Sequence, residues 1–118
     1  MAKKALCITI PKTVSWETYK QELAKVADGN CVMNYKVPTF PKEVKPGDRC
    51  YMVHNGFIKG WMTIFDIVDR DAFKCTTTGR NWADGIYVQR TGKFHPLNPE
   101  VPMKGFMGYH YIDEIDLI

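Results

Sequence analysis

Aromatic rings set among amides, basic groups and glycines are the residues of this sequence best placed to act on a ligand. Trp82 lies in GRNWADG beside Arg80 and Asn81, among neighbours that are all polar or small. Phe106 and Tyr109 lie in MKGFMGYHY with Lys104 and His110, and Gly105 and Gly108 frame Phe106 so that the backbone can approach a ligand or a strand closely. Trp61, in the middle of the chain, can floor the same region. Flat ligands such as nucleobases are held by stacking on aromatic faces while amides and backbone groups read their edges. Lys and Arg at the rim meet phosphates. The candidate nucleic-acid-binding set is therefore Trp61, Arg80, Asn81, Trp82, Lys104, Phe106 and Tyr109. Against it stands a plain alternative, that Trp61, Phe106 and Tyr111 simply fill the core. Trp82 divides evenly between a ligand contact and a lid over the core.

Bond-making chemistry has no comparable signature. There is no Gly-x-Ser-x-Gly elbow, P-loop, dinucleotide fingerprint or His-Glu-x-x-His. Asp66, Asp69 and Asp71 beside Arg70 read as a solvated turn, and His54, His95 and His110 lack ligand spacing. Cys7, Cys31, Cys50 and Cys75 form no Cys-x-x-Cys pair, which argues against zinc. Cys7, Cys50 and Cys75 sit in strand-like runs, as small buried hydrophobes do. A Cys–His nucleophilic pair has no motif behind it. No catalytic residue, metal or cofactor is expected. The basic start MAKK and the short apolar run after it form neither a signal peptide nor a membrane span, so a cytoplasmic protein with reduced thiols and no membrane partner is expected.

The elements that must position these residues follow from composition and period. At 118 residues, 45% hydrophobic and 25% charged, the chain suits one domain, residues 1–118, with a core of its own. The formal charge of +3 permits an anionic partner without demanding one. The region from Lys36 to Lys104 holds the basic excess, and Asp113, Glu114 and Asp116 make an acidic tail. Ala5 to Ile10 reads as a strand. Ser15 then caps a helix with Trp16, Tyr19, Leu23 and Val26 on one stripe, Glu17 in its first turn and Lys25 in its last. Cys31 to Val37 is a second strand, followed by a loop punctuated by Pro38, Pro41 and Pro46.

The strongest local signal is the Asn55-Gly56 link between two apolar runs, which predicts a type I′ hairpin with His54 opposite Phe57. Simple alternation puts Tyr51, Val53, Ile58, Gly60, Met62 and Ile64 on one face, with Tyr51 covering Gly60. Cys50, Met52, His54, Phe57, Lys59, Trp61, Thr63 and Phe65 fall on the other. Short strands follow at Phe73–Thr78 and Ile86–Arg90, with a turn at Thr91-Gly92 and a brief continuation to Pro96. A proline loop, PLNPEVP, and a last strand from Tyr109 complete the chain. The sum is an α+β domain: a small, strongly bent, mostly antiparallel sheet or half-open β-barrel with one N-terminal helix.

The run KPGDRCYMVHNGFIKGWMTI resembles the central strand pair of the PUA-like superfamily, which includes PUA, ASCH, YTH and EVE domains. Lys45-Pro46-Gly47-Asp48 supplies its turn and Phe57-Ile58-Lys59-Gly60 its inner glycine. The preceding order of strand, helix, strand and proline loop also fits. The resemblance implies a bent barrel whose concave face binds RNA or DNA, often through a modified or flipped base. It also brings in a small ASCH-type enzyme acting on RNA, for which His54 is the group to test. Nucleic acid or a nucleotide is thus the expected partner. The alternative is a protein-interaction module, an inhibitor or antitoxin-like protein anchored by Trp82, Phe94 and Phe106.

Overall fold

The computed structural model describes residues 4–27, 32–71, 73–74 and 81–113. Its centre is a reversal made by two residues. Asn55 and Gly56 take φ of 53° and 86°, the pair of left-handed conformations a type I′ turn demands. They join β3 (Arg49–His54) to β4 (Phe57–Arg70), with His54 paired to Phe57. The entry turn before β3 is also set locally. The Asp48 amide donates to the Lys45 carbonyl at 3.0 Å, and the Asp48 carboxylate accepts the Lys45 amide at 2.9 Å. Pro46 fixes the second position and Gly47 takes φ +96° at the third, as a type II turn requires. The Gly47 amide donates to the Ile64 carbonyl and the Ile64 amide to the Asp48 carbonyl, which ties the turn to β4.

Before the hairpin come β1 (Lys4–Thr9), α1 (Trp16–Ala27) and β2 (Met33–Val37). After it, β5 (Phe73–Lys74) and β6 (Asn81–Trp82) pair as a two-stranded ribbon, and β7 (Gly85–Pro102) and β8 (Tyr109–Asp113) complete the main sheet. That sheet has the order β2-β7-β4-β3-β1-β8 and is antiparallel except between β1 and β3. The helix forms as its sequence dictates. The Ser15 carbonyl takes the Tyr19 amide at 3.0 Å, the Ser15 hydroxyl faces the Thr18 amide at 3.5 Å, and Tyr19, Leu23 and Val26 are buried.

The sheet curls into a half-barrel. Tyr35 on β2 reaches across to the far side, its hydroxyl shared between the carbonyls of Thr9, at 3.2 Å, and Gly108, at 3.3 Å. The concave side therefore faces Tyr35 and α1. There Leu6, Ile8, Cys50, Met52, Met62, Ile64 and Val88 pack against Tyr19, Leu23 and Val26 in the main core. On the convex side, Ala5, Cys7, Tyr51, Val53 and Ile58 form a smaller core with Leu97, Val101, Met103 and Phe106 packed against it.

Two departures from simple alternation decide which residues meet. Val53 pairs with Ile58, but Met52 pairs with Gly60, so Lys59 is the extra residue of a β-bulge. A one-residue slip sends every following side chain to the other face. Trp61 therefore shares the convex face with Tyr51, whereas Gly60, Met62 and Ile64 join Cys50 and Met52 on the concave one. Tyr51 stands opposite Trp61 and does not cover Gly60. Gly60 instead lies against β7, where a Cβ would come within 2.3 Å of the His95 carbonyl oxygen and 2.5 Å of the Phe94 ring. The second departure is β7, which does not turn at Thr91-Gly92 but runs for 18 residues through the proline segment. β2 stops pairing at Arg90, so beyond that point β7 is an edge strand and its prolines cost no ladder bond on the open side. Extra residues accumulate there, between Thr91 and His95 and between Pro96 and Val101.

Candidate functional site

The convex face gathers planar side chains into a stack. The Trp61 ring lies 4.0 Å from the His95 ring at an interplanar angle of 12°. The Arg49 guanidinium lies 4.0 Å from the same indole. His95 reaches Trp61 from β7 and Arg49 from β3, the two strands that flank β4, so the indole is sandwiched between them. Arg49 also donates to the Tyr51 hydroxyl at 3.2 Å, which fixes the guanidinium plane. A cation over an indole is the strongest of the cation–π pairings. His95 is exposed and forms the open end of the stack, with Trp61 and Arg49 half-buried behind it.

A second stack sits on the same face. Phe106 lies 4.0 Å from the His110 ring at 13°, and its amide donates to the Thr9 hydroxyl at 3.2 Å. Phe106 and Trp61 both pack against the small convex core, so the structure brings these two expected residues onto one surface. Lys104 is exposed in the loop that carries Phe106. Tyr109 is not on this surface. It packs against the concave core, edge-on to Tyr111 at 5.6 Å, with its hydroxyl 2.8 Å from that of Thr39. The reason is register: Tyr109 pairs with Ile8 and His110 with Cys7, so alternate residues of β8 face opposite sides. Asn81 and Trp82 form β6, paired to Lys74 and Phe73. Their side chains, and Arg80 entirely, lie outside the described residues.

Sequence reasoning missed Arg49, His95 and Arg90. Arg49 drew no notice beside the Lys45–Asp48 turn and His95 lay in a brief strand continuation, and only the bulge at Lys59 aligns both with Trp61. Arg90 is 2% exposed on the concave side. Its Nη1 donates to the Tyr19 hydroxyl at 2.8 Å and lies 3.1 Å from the Met52 sulfur, while its Nε has no partner. Among the described residues no carboxylate pairs with it. Burial pushes Tyr19 up and the Cys50 thiol up to about 11, so both neighbours are uncharged at neutral pH. The guanidinium is a single charge held by a hydroxyl, a thioether and the nearby face of Tyr35.

His54, the group a hydrolytic reading needs, is buried. Its Nε2 lies 2.8 Å from the Val14 carbonyl, which can only accept, so that nitrogen carries the proton. Trp16 covers its ring at 5.5 Å. Beside the entry turn, an open cleft of about 240 Å³ is lined by Lys4, Lys42 and Lys45 but also by Glu43 and Asp48. Its lining mixes both signs of charge. No group of three or more His, Cys, Asp or Glu suited to a metal occurs among the described residues. Nor does any described helix have the length and apolarity to cross a membrane. No family model, curated protein or solved structure matches the chain.

Proposed function

We propose that this protein is a non-enzymatic domain that binds nucleic acid or nucleotides by stacking unpaired bases on the convex face of its half-barrel. The observation that carries the reading is the Arg49–Trp61–His95 stack. Its members are spaced at 4.0 Å, close to the base-to-base rise of about 3.4 Å in a nucleic acid strand. A base adds to the open His95 end or takes the place of His95 against the indole. Lys93 and Lys104, both exposed, are the cations for phosphates. Phe106 on His110 offers a second platform. The PUA-like resemblance of Lys45–Ile64 belongs to this reading, with RNA or DNA, and a modified or flipped base among them, as the ligand class and the cytoplasm as the place. The binding face is the convex one in place of the concave face that the resemblance implies, and Tyr109 leaves the site.

The test is fluorescence anisotropy of labelled single-stranded RNA and DNA with the full chain. Binding should weaken steeply between about 50 and 200 mM salt. Trp61→Ala together with Arg49→Ala should lower affinity at least about tenfold, in line with the loss of one stacking contact. Arg80→Ala with Trp82→Ala should lower it further while the melting temperature stays nearly unchanged. Oligonucleotide binding that survives Trp61→Ala and Arg49→Ala at full strength, with circular dichroism unchanged, would falsify the site. Capture of a protein partner through the same rings, with little response to salt, would favour the interaction-module alternative.

A further inference from the structure

The loop from β7 to β8 contains two methionines, leads into a histidine, and lies over a buried thiol. Cys7 is fully buried on the convex side, with its Sγ 3.6 Å from the Met103 Sδ. Directly across the β1–β8 ladder stands His110, and directly opposed residues of an antiparallel pair project to the same face. The His110 ring is held in place by its stack on Phe106, which packs on the same small core as Met103. A thioether and an imidazole thus flank one thiol. In the same loop Met107 is 96% exposed, between Gly105 and Gly108, the latter at φ +72°. Core packing accounts for Cys7 but not for a methionine held almost wholly in solvent.

We infer that Cys7, Met103 and His110 form a binding site for a soft monovalent ion, Cu(I), for which the exposed Met107 is the entry ligand. Thiolate and thioether sulfurs select Cu(I), and imidazole suits copper equally. With metal–sulfur bonds of about 2.3 Å, the length seen for zinc thiolates, one ion spans sulfurs 3.6 Å apart at an S–metal–S angle of about 100°. Binding involves no electron transfer. The Cys7 S–H bond breaks, a sulfur–Cu(I) bond forms, and the proton leaves to solvent. A thiol holds its proton at neutral pH, so one proton is released per ion bound. The site shares His110 with the second stacking platform and no ligand with the Arg49–Trp61–His95 stack.

The experiment is anaerobic titration of the full chain with Cu(I) against a colorimetric Cu(I) chelator, repeated in parallel with the redox-inert ion Ag(I). One ion should bind per chain, with release of one proton. Met103→Leu removes the thioether at nearly constant volume, and His110→Phe removes the imidazole while keeping a ring on Phe106. Neither change touches the thiol that the fold buries, and circular dichroism verifies that both variants are folded. Each should weaken binding at least about tenfold. Met107→Leu should slow uptake and leave the affinity unchanged. Trp61→Ala should change neither, so failure of the nucleic-acid reading and failure of this one are separable. Full Cu(I) affinity in both Met103→Leu and His110→Phe overturns the proposal, as does loss of binding on Cys31→Ser or Cys75→Ser with Cys7 intact.

Discussion

On the concave side of the sheet the side chains meet a helix, whereas on the convex side the described residues that cover them come from the end of β7, the loop after it and β8. Under α1, Leu6, Ile8, Met52, Met62 and Val88 are almost fully buried, and even a guanidinium is enclosed. Across the sheet, Ala5, Cys7, Tyr51, Val53 and Ile58 are equally dry, but their cover is thin. Trp61, Met103 and Phe106 each remain half-buried. The helix commits one face of the half-barrel to stability. The other keeps flat aromatic and imidazole rings at the surface, where exchange of one planar partner for another costs little core.

The comparison can be broken first by truncation. Leu23→Ala, under the helix, should lower unfolding free energy by about 3 kcal/mol, and Phe106→Ala, in the thin cover, by about 1 kcal/mol. Urea denaturation reads both, and equal losses would mean that the convex cover is as structural as the helix. Alkali gives the next effect, because one buried thiol lies on each side of the sheet. Folding raises Cys50 and Cys7 from their ordinary value near 9 to about 11 and about 12, chiefly through burial. Below pH 9 both states hold the proton and the stabilisation is complete. Above it the unfolded chain ionises first, so stability falls by up to about 1.4 kcal/mol per pH unit for each thiol. That fall continues to about pH 11 for Cys50 and about pH 12 for Cys7. Between about pH 9 and 11 the two declines overlap, so either Cys50→Ala or Cys7→Ala should lower the slope there, and only Cys7→Ala should also remove the slope from about pH 11 to about 12. The smallest effect is expected at the buried charge. Arg90→Met removes a guanidinium that has no carboxylate among the described residues, and it should change stability by less than about 1 kcal/mol. A loss of several times that would show that the Tyr19 and Met52 contacts hold α1 down.

What could be read from the sequence was local. The type I′ reversal, the Lys45–Asp48 turn and the α1 stripe each depend on residues within a few positions of one another, and each stands as expected. The bulge at Lys59 does not. Its ammonium is fixed 3.0 Å from Glu100, a partner on a distant stretch of chain, and the slip it produces moves Trp61 to the opposite face. The continuity of β7 was hidden for a similar reason, since Thr91-Gly92 and three prolines look like breakers until β2 is known to stop at Arg90. Of the expected site residues, Trp61 and Phe106 fall on one face of the sheet and Tyr109 on the other, with Lys104 exposed in the loop that carries Phe106. His95, which turns Trp61 from a lone ring into a stack, carried no signal at all before the β4–β7 register was known.

Tyr35 has a consequence beyond shaping the barrel. A curled sheet that does not close has two edges, and unpaired edges recruit strands from other chains. Here β2 and β8 are the edges, and one phenol hydroxyl spans the opening between them by way of Thr9 and Gly108. An incoming strand would have to break that bridge before it could pair. A single hydroxyl thus stands in the path of strand addition, apart from the stacked face it leaves open.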